Sequence, residues 1–129
     1  MSMRASSDKT ILVVDDDEGV RQIFARMLTL EGYRVRTAMN AKSGLREVAQ
    51  SQPDAIILDF RMPLVDGLEF LRRLRSSASH CATPVAIVTG DYFLTQPTQH
   101  ELQSLGASIR FKPLWLEDLI ALAKTLINS

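Results

Sequence analysis

Ile11-Leu12-Val13-Val14-Asp15-Asp16-Asp17-Glu18 is the stretch on which the fold turns. Four apolar residues, three of them β-branched, suit a strand covered on both faces, because a strand with one wet face would alternate instead. The run stops on acids, and beyond it Val20, Ile23, Phe24, Met27 and Leu28 recur at helical spacing. Gly32 then ends the helix. A buried strand that ends in charge and passes at once into an amphipathic helix is the first half of a parallel crossover unit.

The same grammar repeats downstream. Residues 33–38 alternate with Tyr33, Val35 and Thr37 on one side, a second strand, and Asn40 is placed to cap a helix carrying Ala41, Leu45, Val48 and Ala49 that Pro53 ends. Ala55-Ile56-Ile57-Leu58 is another buried run, again ending on an acid, Asp59. After the turn Arg61-Met62-Pro63-Leu64-Val65-Asp66-Gly67, the residues Leu68, Phe70, Leu71 and Leu74 predict a third helix to about Arg75. Pro84 opens Val85-Ala86-Ile87-Val88, which ends at Thr89-Gly90. Residues 95–105 form a polar fourth helix, residues 108–111 a fifth strand after Gly106-Ala107, and Lys112-Pro113 leads into an apolar helix over 115–127. Five strands alternating with five helices predict an α/β fold with a doubly wound parallel sheet, whose ligands sit outside the carboxyl ends of the strands.

Length and composition narrow the function. A chain of 129 residues suits one domain, expected over residues 9–129 behind a polar leader at 1–8 with no signal-like apolar run. Fifteen Lys and Arg balance fifteen Asp and Glu, which argues against direct nucleic-acid binding and anionic membranes. No segment approaches the ~18 apolar residues of a membrane span. The lone Cys81 excludes an internal disulfide or a cysteine metal site and fits a reducing compartment, with the cytoplasm the expected location. His80 and His100, in a loop and a polar helix, are expected to be solvated, and Cys81 is read as a loop or half-buried thiol rather than a nucleophile.

The neutral total hides a local excess. Asp15, Asp16, Asp59, Thr89 and Lys112 all fall at carboxyl ends of strands. Three carboxylates gathered there repel one another and need cations, which Lys112 and a hard divalent ion supply. Mg²⁺ suits such an oxygen-only set, with a carbonyl and a phosphate oxygen completing it. Asp17 and Glu18 are instead read as residues of the helix start, where negative charge meets the positive end of the helix dipole. Consecutive acids with no following glutamate at the required distance exclude an EF-hand.

In order along the chain, Asp15-Asp16 after the first strand, Asp59 in Ile57-Leu58-Asp59-Phe60-Arg61-Met62-Pro63, Asp66-Gly67, Thr89-Gly90 and Lys112-Pro113 carry a resemblance. Over residues 9–127 or so the chain resembles the receiver domain of two-component response regulators. The resemblance implies a flavodoxin-like (βα)5 sheet of strand order 2-1-3-4-5. It implies that Asp59 is the phosphoacceptor, taking a phosphoryl group from a histidine kinase or phosphotransfer protein. Asp16 would bind Mg²⁺ directly, Asp15 mainly through a water, and the Arg61 backbone carbonyl and Asp59 would complete the ligands. Lys112, the Thr89 hydroxyl and the Gly90 amide would serve the phosphoryl oxygens, and a cis Lys112-Pro113 peptide is expected. The implied role is a self-catalysed switch, not an enzyme acting on another substrate.

Three departures stand out. Ile109 occupies the place, three before the lysine, where receivers commonly carry an aromatic switch residue, so a modified switch is expected, with Tyr92 and Phe111 nearby. Arg61 and Asp91, two positions after Asp59 and Thr89, occupy places that tune hydrolysis in the family; an exposed ion pair and two independently solvated side chains both remain open. The last helix is apolar on more than one face, which points to a homodimer or effector surface on the last two helices and the fifth strand. Of the rivals, a haloacid dehalogenase-type phosphohydrolase needs an acid where Arg61 stands, and a pseudo-receiver serving only as an interaction module is the alternative.

Overall fold

The computed structural model describes residues 8–129, so the leader, Asp8 apart, lies outside the described residues. In chain order the elements are β1 (Thr10–Val14), α1 (Glu18–Leu30), β2 (Arg34–Ala38), α2 (Ala41–Ser51), β3 (Ala55–Leu58), α3 (Gly67–Arg75), β4 (Val85–Thr89), α4 (Gln96–Ser104), β5 (Ala107–Phe111) and α5 (Leu116–Ile127). A 3-10 turn at Ala78–His80 joins α3 to β4. The strands form one parallel sheet in the order β2-β1-β3-β4-β5, the doubly wound arrangement expected.

Alternate residues of the central strands build two cores. Leu12, Val14, Ile56, Leu58, Val85 and Ile87 face α2, α3 and α4, where Val48, Phe70, Leu71, Leu74 and Leu102 meet them. Ile11, Val13, Ala55, Ile57, Ala86 and Val88 face Phe24 and Leu28 of α1 and Leu119, Leu122, Ala123 and Leu126 of α5. Burial on both faces explains why β1, β3 and β4 read as unbroken apolar runs. The edge strand β2 buries only Ala38 and so keeps two arginines.

Local chemistry sets the helix ends. Asp17 accepts from the Val20 amide and Glu18 lies in the first turn of α1, the structural role expected of both. Asn40 and Ser43 form a capping box on α2, and Asp66 caps α3. Thr95 caps α4, with proline in its first turn, and Leu102 is its one buried residue, hence its polar reading in sequence. Trp115 precedes α5 rather than opening it, and is 70% exposed beside half-exposed Leu116, so part of the apolar surface expected on this helix is open. Gly67 starts α3 because a Cβ there would lie 3.0 Å from both the Asp59 carbonyl oxygen and the Phe60 Cα.

One expectation is corrected: His80 is buried, with only 6% exposure. The Arg75 guanidinium donates to the carbonyls of His80, Thr83 and Leu105 at 3.2, 2.7 and 2.7 Å, which folds the 3-10 turn inward, and His80 Nδ1 lies 3.0 Å from Thr83 Oγ1. His100 and Cys81 are exposed. No helix of the described residues is long and apolar enough to cross a membrane.

Candidate functional site

Asp15 and Asp59 each follow directly on the last pair of the β1–β3 ladder, Val14↔Leu58, and the Asp59 amide donates to the Val14 carbonyl at 2.8 Å. Neighbouring parallel strands therefore deliver two carboxylates side by side at one sheet edge. Asp16, exposed, completes the group: one carboxylate oxygen from each of Asp15, Asp16 and Asp59 lies within 4.8 Å of the others. Asp15 and Asp59 are 3% and 6% exposed, a costly position for like charges.

Part of the cost is met locally. Lys112, just past the end of β5, places Nζ 2.7 Å from Asp15 Oδ2 and 3.8 Å from Asp59 Oδ1. The Asp17 amide donates to Asp15 Oδ1 at 2.9 Å, and Arg21 donates to the Asp15 carbonyl at 2.7 Å. The lysine thus serves Asp15 first. Burial foremost, then the Asp15 charge, push the Asp59 carboxyl up to about 6; Lys112 and a hydrogen bond from Thr89 oppose the rise without cancelling it. One ammonium against three acids leaves the cluster short of positive charge, and its donors are all hard oxygens, so the residues present fit a divalent cation of the Mg²⁺ or Ca²⁺ type.

The β4 side completes the rim. Thr89, fully buried, accepts from the Asp91 amide at 3.1 Å, and its carbonyl accepts from the Lys112 amide at 2.8 Å. Gly90 is exposed, with open space where a Cβ would stand. The Lys112-Pro113 peptide is cis, as expected. Of the two readings left open for Arg61 and Asp91, the ion pair is the one found: Arg61 Nη2 lies 2.6 Å from Asp91 Oδ2, and its guanidinium also sits 5.0 Å from the Phe60 ring centroid. The Phe93 amide, first, and Arg61 hold the Asp91 carboxyl below its usual range. Ile109 stands apart, half-buried against the core on the α2–α4 side of the sheet. Sequence reasoning missed the Arg21 tie to Asp15 and the hydrogen bond that Tyr92 Oη donates to the Lys112 carbonyl, although the nearness of Tyr92 to the lysine loop was visible.

This geometry has close counterparts. Residues 11–124 match the response regulator receiver domain family. The chain belongs to that family. Response regulators MprA of Mycolicibacterium vanbaalenii and Mycobacterium leprae are each 36% identical to this receiver over 118 residues, covering 92% of it and 50% of their own length. The receiver therefore spans about half the length of the curated relatives it matches. Among solved structures, the Vibrio cholerae chemotaxis protein CheY4 superposes with a TM-score of 0.84 at 28% identity, covering 92% of this receiver and 98% of that chain. The receiver domain of NtrX from Brucella abortus gives 0.82 at 30% identity, with 92% and 98% covered.

Proposed function

We propose that this receiver accepts a phosphoryl group on Asp59 from a phosphohistidine of a histidine kinase or phosphotransfer protein, and relays the signal by a change of shape. The observation that carries the reading is the convergence of Asp15, Asp16 and Asp59 within 4.8 Å with the Lys112 ammonium beside them. A carboxylate oxygen of Asp59 attacks phosphorus, the new O–P bond replaces the P–N bond, and the departing imidazole nitrogen keeps the electron pair. The transition state spreads charge over three equatorial oxygens, so positioning and cations carry most of the catalysis.

Lys112 is placed to meet one developing charge, and the Thr89 hydroxyl with the Gly90 amide another, each from a separate strand end. Asp16 directly, Asp15 mainly through a water, Asp59 and the Arg61 backbone carbonyl would hold Mg²⁺. When bound, that ion supplies positive charge to the acids and to a phosphoryl oxygen. The Arg61–Asp91 pair spans the two loops that flank Asp59, and it restricts the water that later hydrolyses the acyl phosphate. Acceptance and loss of the phosphoryl group are the chain's own chemistry, with no other substrate turned over. The output is read on α4, β5 and α5, where Phe111, Trp115 and Leu116 are exposed, by a second copy or an effector. Work in the cytoplasm fits this role. The pseudo-receiver alternative lacks support, and the nearness of Lys112 to Asp15 and Asp59 favours the phosphoacceptor reading.

Intact mass after incubation with acetyl phosphate and Mg²⁺, run beside Asp59→Asn, tests the reading. A Mg²⁺-dependent phosphoryl adduct on the parent chain alone is expected. No adduct, or an equal one on the variant, overturns it.

A further inference from the structure

Lys112 is gripped at both ends of its own residue from the β4 side of the site. Its amide donates to the Thr89 carbonyl at 2.8 Å, and its carbonyl accepts from Tyr92 Oη. β5 ends at Phe111 and Pro113 has no N–H to offer, so Lys112 lies where the sheet ladder gives out. The Tyr92 ring also stacks on Phe111, centroids 5.6 Å apart at 22°. Tyr92 is itself 61% exposed, held by these two contacts and not by the core.

The loop that carries Tyr92 is set by Thr89. The Thr89 hydroxyl oxygen accepts from the Asp91 amide at 3.1 Å, and Asp91 accepts in turn from the Phe93 amide at 2.9 Å, so the residues flanking Tyr92 are shaped by that turn. A Thr89 hydroxyl drawn toward a phosphoryl group added to Asp59 shifts the oxygen that accepts from Asp91, one residue before Tyr92. The Ile109 side chain has no polar atom with which to join such a chain and is half-buried against core residues.

We propose that Tyr92 is a positioning residue for Lys112: its hydroxyl on the Lys112 carbonyl and its ring on Phe111 tie the lysine to the loop after β4, so that a change at Thr89 reaches β5 through Tyr92 and not through Ile109. This rests on Asp59 being the phosphoacceptor. With the tie intact the ammonium keeps its place between Asp15 and Asp59; with it cut, the peptide that carries the lysine loses one of its two anchors.

Tyr92→Phe keeps the ring and deletes the hydroxyl, and Tyr92→Leu deletes both contacts; an exposed position makes either variant safe for folding. Each is compared with the parent chain for the rate of adduct formation from acetyl phosphate with Mg²⁺. Amide NMR shifts are recorded with and without beryllofluoride. Tyr92→Phe is expected to slow the adduct roughly two- to ten-fold, the scale of one lost neutral hydrogen bond. It is also expected to shrink the beryllofluoride-induced shifts at 109–112 while leaving that of Asp16 and the urea midpoint unchanged, with Tyr92→Leu at least as impaired. Parent-like rates and parent-like β5 shifts in Tyr92→Phe overturn the inference. An absent adduct on the parent chain overturns the phosphoacceptor reading instead, so the two failures are distinct.

Discussion

Two ion pairs face the same opening and differ in what surrounds them. Lys112 and Asp15, with side chains 22% and 4% exposed, meet on the floor, where a second acid, Asp59, shares the ammonium. Arg61 and Asp91, at 67% and 10%, meet on the rim, with water on the arginine and no second acid competing. On the floor, charge is short and low polarity magnifies each term; on the rim, solvent screens the pair and its value lies in geometry. The contrast teaches that a change of net charge on the floor is felt in full by the buried acids, while one on the rim is screened by solvent.

The hardest test of that contrast is Lys112→Met. It leaves buried Asp15 and Asp59 without their cation, so the metal-free chain at pH 7 should lose about 3 kcal/mol in urea unfolding, and adduct formation should nearly vanish. A loss no larger than that of Arg61→Ala would break the distinction between floor and rim. Next in size, a divalent cation should restore what the floor lacks: Mg²⁺ at a hundredfold excess over its Kd is expected to stabilise the parent chain by about 2.7 kcal/mol. Asp16→Asn should abolish most of that gain, and a full gain in the variant would remove Asp16 from the site.

Asp59 gives a pH dependence whose sign follows from its raised pKa. The folded chain holds this proton up to about 6, against 3.8 for the free carboxyl. The group's contribution to metal-free stability is therefore complete below about pH 4 and is lost as the pH rises through about 6. Asp59→Asn should flatten that fall and gain on the order of 2 kcal/mol over the parent at pH 7 without metal, with little difference at pH 4. Equal pH curves for the two proteins would mean that burial and Asp15 do not load this carboxylate. The smallest effect belongs to the rim: Arg61→Ala should leave the urea midpoint in place and change the half-life of the phosphorylated protein by about two- to five-fold. An unchanged half-life would reduce the Arg61–Asp91 pair to a surface contact.

The fold was legible where one physical rule decided the outcome. Residues 11–14, 55–58 and 85–88 read as buried strands because burial on both faces leaves no polar position, and the acids that end two of them marked the sheet edge. The floor followed from strand ends alone, since parallel neighbours bring those ends together. Pairings between loops were less visible. Arg61 and Asp91 lie thirty residues apart, so whether they meet depends on loop paths that no spacing rule predicts. His80 was misread because its burial is imposed by Arg75, whose three bonds to carbonyls are satisfied only in the folded turn. The Tyr92 hydroxyl was hidden for a like reason: its acceptor is a backbone oxygen, which leaves no mark in a sequence.

Asp15 and Asp59 stand one step beyond the Val14↔Leu58 pair, so the gap between them is a property of strand spacing and not of any adjustable side chain. A slip of one residue between β1 and β3 would turn both cores inside out before it moved those acids. The spacing of the two positions is thus set together with the hydrophobic cores, whichever side chains occupy them. Substitutions at exposed loop positions such as Arg61 and Tyr92 touch neither core, so they leave that spacing intact.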